Sequence, residues 1–197
     1  MKAKIRLRTL TLEELREIYD NRMRRDFPPE ELKPFRKLQE MYESGHYVGY
    51  GACTEEDEKQ ILAYALFSRL RIREQRHYLF DYFAVKDGLR GSGIGTELLA
   101  QLPLYMKDAA SVIGEVENPD YAENTATEKL RERRLCFYRR NHVRETGITA
   151  RVMGMEYRIV EAGGERQHTQ SEVRELLEAF YHLFFPDSLY QQEVLIR

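Results

Sequence analysis

Hydrophobic and polar positions change period several times along this 197-residue chain, and each change predicts an element. Ile5, Leu7 and Thr9 alternate with Arg6 and Arg8, the pattern of a half-exposed first strand. Thr11 then caps a helix with the stripe Leu12, Leu15, Ile18, Tyr19 and Met23, and Glu13 and Glu14 sit in the first turn, where the helix dipole favours acids. Asp26-Phe27-Pro28-Pro29 stops it. Pro28, Pro29, Glu30 and Glu31 suit the start of a second helix carrying Leu32, Phe35, Leu38, Met41 and Tyr42, which Gly45 ends, with Pro34 about one turn in. After Gly45 the period becomes that of strands. Residues 47–54 and 60–69 flank the acidic turn Glu55-Glu56-Asp57-Glu58 and read as an antiparallel hairpin. Residues 78–85 add a third strand to this meander, apolar or aromatic throughout except at Asp81, and the Asp87-Gly88 turn signal bounds it.

That strand runs into a loop with glycines at 91, 93 and 95, after which Ile94, Leu98, Leu99 and Leu102 fall at helical spacing, so a helix opens at about Ser92. Pro103 kinks it, or ends it for a restart. Residues 111–117 form a further strand, closed by Asn118-Pro119. Residues 123–140 hold no helix breaker, and Leu130, Leu135, Phe137 and Tyr138 give that charged helix a partly apolar side. Residues 148–152 and 155–160 make a closing hairpin around Gly154. The stretch 161–170, with Gly163-Gly164, is linker-like; Ser171 then caps a last helix with Val173, Leu176, Leu177, Phe180 and Phe184 on one face. That stripe packs either on its own domain or, with Val194-Leu195-Ile196, in a homodimer contact.

Composition narrows the class. With 42% hydrophobic and 32% charged residues the chain is ordinary globular material, long enough for one domain. A net charge of −2 supplies no global field for nucleic acid or for an anionic membrane, so neither is an expected partner. Cys53 and Cys136 form neither a disulfide framework nor a CxxC pair, and Cys136 reads as a buried residue rather than a nucleophile. The five histidines are scattered, so no structural metal site is expected. The longest apolar run, 61–67, is too short to span a bilayer, and residues 1–10 hold no continuous apolar segment. A soluble, cytoplasmic protein is the expectation.

A strand, a glycine loop and a helix in that order make an anion site, because free N–H groups of the first helical turn face the loop and missing Cβ atoms let a phosphate approach the backbone. Spacing decides which ligand. No lysine follows Gly88 and Gly91 where a P-loop needs one. A dinucleotide fingerprint fits partway, with Gly91-x-Gly93 and Glu115 about 20 residues beyond Gly95, but its third glycine position is Thr96. What fits is Arg90-x-x-Gly93-x-Gly95, and here the chain resembles the GNAT superfamily of acetyl-coenzyme A dependent N-acyltransferases. The element order β, α, α, β, β, β, α, β, α, β, β is also that of the family, over about residues 1–162. The resemblance implies an α+β GNAT fold: a central mixed, mostly antiparallel sheet with a splayed strand pair, flanked by helices. Residues 163–197 would add a linker, an amphipathic helix and a tail.

The resemblance also implies acetyl-CoA as co-substrate. The backbone of Phe83, Ala84 and Val85 would line its pantetheine arm, and Arg90, Gly91, Ser92, Gly93, Ile94, Gly95 and Thr96 would hold its pyrophosphate. A second family landmark is a tyrosine within Asn-x-x-Ala-x-x-Phe/Leu-Tyr, followed by Gly-Phe. Phe137-Tyr138 matches its core, whereas Arg131, Arg134 and His142-Val143 depart from it.

Acetyl transfer to an amine needs a base for the ammonium and an acid for the departing thiolate. By the match, Tyr138 is the acid; its other reading is a core tyrosine beside Phe137. Asp81 is either the base or the partner of a salt bridge or hydrogen bond to a neighbouring element. Glu115 and Glu117, two apart on one strand, can serve as base or bind the acceptor's cation. Arg131, Arg134 and Tyr138 share a helical face, and Arg134 either neutralises these glutamates or grips an acceptor carboxylate, unless the face is simply solvated. Tyr42, Tyr47 and Tyr50 line an acceptor pocket or the core. The acceptor expected is a small amine or an amino-acid-like molecule, with direct transfer in a ternary complex. Two alternatives stand: a module of the same fold that holds acyl-CoA without transfer, and, more distantly, a nucleotide-binding oxidoreductase.

Overall fold

A computed structural model describes residues 5–164 and 166–197, without the Glu30 side chain; residues 1–4 of the N-terminal stretch and Glu165 of the linker-like stretch lie outside the described residues. In chain order come β1 (Arg6–Thr9), α1 (Leu12–Ile18), α2 (Arg24–Asp26), α3 (Phe35–Glu43), β2 (Tyr47–Cys53), β3 (Ala63–Ile72), β4 (Gln75–Val85) and α4 (Ile94–Tyr105). There follow β5 (Ala109–Glu117), α5 (Thr125–Arg140), β6 (Arg144–Val152), β7 (Met155–Ala162), α6 (Gln170–Phe184), α7 (Asp187–Glu193) and β8 (Val194–Ile196). The eight strands of the mixed sheet are ordered β1-β2-β3-β4-β5-β7-β6-β8. The β1/β2, β2/β3, β5/β7, β6/β7 and β6/β8 pairs are antiparallel. β4 and β5 are joined through α4, the crossover connection that a parallel pair requires. The chain divides into two compact units, one of residues 5–69 with 80–107, the other of 70–79 with 108–197.

In the first unit Thr11 caps α1 in a reciprocal box: the Glu14 N–H donates to the Thr11 hydroxyl at 3.2 Å and the Thr11 N–H to Glu14 Oε2 at 2.9 Å. Leu15, Ile18, Tyr19 and Met23 are buried as the stripe predicts. A π-helical turn, Tyr19–Met23, continues α1 into α2, a feature the period did not reveal. The expected second helix begins later than Pro28. Only a 3-10 turn, Pro29–Glu31, forms there, Leu32 is extended, and α3 starts at Phe35 with Pro34 as N-cap. The cause is Pro34, whose ring excludes the helical conformation from Lys33. Every residue of β2 is buried. α4 runs through Pro103 and ends at Tyr105, so the proline falls in the last turn.

In the second unit β3 and β4 extend beyond 60–69 and 78–85 to meet at Arg73 and Glu74, both left-handed (φ 49° and 64°). Four of the six added residues, Arg71, Gln75, Arg76 and His77, are polar, which hid them from an apolar pattern. α6 is capped by Thr169 rather than Ser171, in a second reciprocal box with Glu172. Its Val173, Leu176, Leu177, Phe180 and Tyr181 pack on Leu79, Ile113, Ile148, Ala150 and Ile159. Val194–Ile196 is a strand paired with Ala150–Val152 at the sheet edge. Gly164 of the linker-like stretch has φ 80°, and a Cβ there would lie 2.2 Å from the Ala110 carbonyl oxygen. Asn124 caps α5, accepting from the Thr127 N–H at 3.0 Å. The buried face of α5 is Arg131 and Leu135, with Tyr138 packed beside Leu135, Val116 and Val160. That face turns Leu130 and Cys136 outward, so both are exposed, against the expectation for each.

Buried polar groups gather behind β5. His77 Nδ1 lies 2.8 Å from the Ser111 hydroxyl, and His168 Nδ1 lies 2.6 Å from Glu161 Oε1. Arg144 pairs with the other Glu161 oxygen and donates to the His168 carbonyl at 2.7 Å. Burial, and then the neighbouring His168, push the His77 pKa down. No helix among the described residues is long and apolar enough to cross a membrane.

Two outcomes follow from these positions. His142, next after the C-cap of α5, is held at φ 62°, where glycine has no Cβ penalty. His142→Gly should therefore raise stability by about 0.5–1 kcal/mol in urea unfolding. His77 has a folded pKa below its unfolded value, so its contribution is complete above about pH 6.5 and is lost as pH falls through the folded pKa. The melting temperature should drop on acidification below about pH 6.5, and drop less in His77→Asn.

Candidate active site

The glycine loop follows β4 directly. Gly91 and Gly93 have φ 81° and 90°, and Gly93, left-handed, is the N-cap of α4. A glycine offers no side chain to the helix start, so no side-chain cap forms. The first intrahelical bond runs from the Glu97 N–H to the Gly93 carbonyl at 3.0 Å. The N–H groups of Ile94, Gly95 and Thr96 thus have no partner among the described residues. Open space surrounds the Cβ positions of Gly91 and Gly93, so their need is conformational rather than steric. Ser92 turns its hydroxyl back to the Leu89 carbonyl at 2.6 Å. Arg90 does not point freely at a ligand: its guanidinium lies 3.4 Å from Asp26 and 3.2 Å from Asp87. Asp26 also accepts the Tyr64 hydroxyl at 2.8 Å. Uncapped helical donors beside two left-handed glycines fit a bound pyrophosphate, with Arg90 tethered at the rim.

Asp81 sits in β4, two residues before Phe83 and on the same strand face as Phe83 and Val85 by alternation. Its side chain is 1% exposed, and both oxygens are engaged. Oδ1 accepts from the Lys33 ammonium at 2.9 Å and Oδ2 from the Ser68 hydroxyl at 2.9 Å. Tyr47 lies opposite Ser68 in the β2/β3 register. The Tyr47 hydroxyl is buried without a hydrogen-bond partner among the described residues. Burial pushes its pKa well up, and the Asp81 charge pushes it further. Tyr50 is buried in the core beside Phe67 and Tyr105. Half-buried Tyr42 donates to the Leu10 carbonyl at 3.1 Å. Lys33 and Ser68 escaped the sequence reading because neither stands in a local motif; only the Lys-Pro break before α3 marked the place.

The remaining candidates belong to the second unit. Tyr138 is half-buried against Phe137 with ring centroids 5.4 Å apart, and burial pushes its phenol up to about 12, with the Arg134 charge opposing. Glu115 and Glu117 alternate onto one strand face yet engage different helices. Glu115 accepts the Tyr181 hydroxyl of α6 at 2.6 Å. Glu117 pairs with Arg134 and, at 3.4 Å, with Arg131 of α5, which also donates to the Asn118 carbonyl at 3.2 Å. Arg134 is thus committed to neutralising Glu117.

Known proteins give the family. The profile of the acetyltransferase (GNAT) family matches residues 12–136, well over half of the chain. A search of curated protein sequences gives no match. Among solved structures, a GNAT-family protein from Bacteroides thetaiotaomicron is similar with a TM-score of 0.64 and 19% identity, over 91% of this chain and 97% of that one. Arabidopsis thaliana NAA60 in complex with acetyl-CoA superposes with a TM-score of 0.57 and 14% identity, over 81% and 98%. A spermidine N-acetyltransferase SpeG chimera from Vibrio cholerae and hSSAT gives 0.56 and 13%, over 81% and 95%. Likeness at these identities speaks for the fold alone. The profile match, together with the strand, glycine loop and uncapped helix that it spans, shows that the chain belongs to the GNAT family of acetyl-CoA-dependent N-acetyltransferases.

Proposed function

We propose that the chain transfers the acetyl group of acetyl-CoA to a primary amine by direct attack with both substrates bound. The observation that carries this is the α4 N-terminus, where a left-handed glycine leaves three helical N–H donors uncapped in the span of the family match. Acetyl-CoA supplies an acetyl group activated as a thioester. The N–H groups of Gly93 to Thr96 hold its pyrophosphate, and the backbone of Phe83, Ala84 and Val85 lies along its pantetheine arm. Asp81 takes the ammonium proton, directly or through water. The amine nitrogen then bonds to the acetyl carbon as the carbon–sulfur bond breaks.

Tyr138 serves the departing sulfur. A phenol near 12 stays protonated throughout the neutral range and is a weaker acid than a thiol at about 8.5. It donates a hydrogen bond while negative charge builds on sulfur, and the second proton, which the nitrogen sheds on becoming an amide, reaches the sulfur through that hydroxyl. Glu115 and Glu117, each already held by a side chain, orient the acceptor electrostatically rather than act as bases, and Arg134 takes part through Glu117. A small amine or an amino-acid-like molecule is the acceptor class proposed. The engagement of both Asp81 oxygens favours a second reading, an acyl-CoA-binding module without transfer.

Acetyl-CoA at 100 times its dissociation constant should add about 2.7 kcal/mol to thermal stability, with NAD and ATP inert; thiol release on adding amines then separates enzyme from module. Stabilisation by NAD instead would overturn the assignment of the loop. Gly93→Ala should cost about 1 kcal/mol of stability and at least tenfold in acetyl-CoA affinity by calorimetry. Tyr138→Phe should lower kcat by about 100-fold while acetyl-CoA binding stays unchanged. Arg134→Ala assayed against acidic and neutral amines should shift both alike, and a selective loss of acidic acceptors would restore a carboxylate-gripping role.

A further inference from the structure

Asp81 shows what its site selects. A carboxylate with 1% of its side chain exposed needs a cation. The cation supplied is the Lys33 ammonium, on a side chain 23% exposed, so the anion is fixed in the sheet while its partner reaches in from the surface. The backbone around Lys33 is pinned independently of that ammonium. Its N–H donates to the Tyr82 hydroxyl at 2.9 Å, its carbonyl accepts from Tyr19 at 3.1 Å, and Tyr82 donates on to the Glu31 carbonyl at 2.8 Å. The Tyr82 ring also lies 5.4 Å from the Lys33 nitrogen, a cation–π distance. The buried Tyr47 hydroxyl, in the field of Asp81 and without a partner among the described residues, is a further polar group in the same place.

The Asp81 carboxylate, the Ser68 and Tyr47 hydroxyls and the Tyr82 ring surround an ammonium on an aliphatic chain. The acceptor of acetyl transfer is the same chemical group. Asp81 lies two residues from Phe83, about 7 Å along the strand from the backbone assigned to the pantetheine arm. We propose that Lys33 fills the acceptor subsite with its own ammonium, so that the acceptor is an unbranched primary alkylammonium that binds by displacing Lys33 from Asp81. This rests on acetyl transfer taking place beside β4. With three N–H donors, an incoming ammonium can satisfy Asp81 and the Tyr47 hydroxyl together. Secondary and quaternary amines offer fewer N–H donors than the Lys33 ammonium, and branched amines more bulk than its unbranched stem.

The experiment uses the full chain as wild type, Lys33→Ala and Lys33→Ala/Asp81→Asn, with n-propylammonium chloride as probe against sodium chloride at equal ionic strength. The probe should raise the melting temperature of K33A saturably by a few degrees, that of wild type by less at the same concentration, and that of the double variant not at all. With acetyl-CoA present, the KM for n-propylamine in thiol release should fall at least tenfold from wild type to K33A. If K33A does not fold, Lys33→Gln, neutral and of similar reach, takes its place with the same two readings. Acetyl-CoA stabilisation of the variant without any n-propylammonium shift would overturn the proposal and make the Lys33–Asp81 pair purely structural. Amine stabilisation without thiol release would keep the subsite and overturn acetyl transfer beside it.

Discussion

A helix that begins on a glycine has donors that its own chain does not satisfy. α4 is such a helix: Gly93 enters it left-handed, brings no side chain to its first turn, and leaves the N–H groups of Ile94, Gly95 and Thr96 directed outward. Around this constraint the first unit is arranged economically. Leu98 and Leu102 bury the far side of the helix, Gln101 and Tyr105 donate to the carbonyls of Ile5 and Leu7, and the loop ahead is held by the Arg90 pairs with Asp26 and Asp87. The helix start is therefore anchored by its buried side and leaves its backbone donors at the loop. An N-cap serine or aspartate would have satisfied one of these donors with its own side chain.

Charges elsewhere are compensated in pairs. Asp81 is matched by Lys33, Glu117 by Arg131 and Arg134, and Glu161 by Arg144. Each is a carboxylate on a strand met by a cation from a neighbouring element, because a strand buried on one side cannot leave an acid to water. The pairs differ in how replaceable the cation is. Arg131, at 7% exposure, is built into the second unit, whereas Lys33 stands on an extended segment between a 3-10 turn and a helix.

Much of the fold was legible from period and punctuation. Thr11, the stripe Leu15–Ile18–Met23, the strand ending at Val85 and the hairpin at Gly154 stand where alternation and turn residues put them. The misreadings share a cause, which is that local patterns do not know what lies opposite. Ser171 looked like a cap, yet Thr169 holds the box because Glu172 lies three residues beyond it. Leu130 looked apolar enough for the buried side of α5, but that side is drawn through Arg131 and Leu135, since Glu117 and the Asn118 carbonyl need the guanidinium. His142 stands where the family pattern has glycine, and its left-handed φ shows why glycine is usual there.

By itself the sequence determined the order of elements, the junction of strand, glycine loop and helix, the family, and a shortlist of ionisable residues. These are short-range properties, set by spacing along one strand, one turn or one helix. Tertiary structure alone decided which candidates are engaged and by whom. It joined Lys33 to Asp81 across 48 positions, Tyr181 to Glu115 across 66, and left the Tyr47 hydroxyl buried without a partner among the described residues. Such pairings depend on strand register and on the path of distant loops, neither of which leaves a periodic mark on the residues that meet.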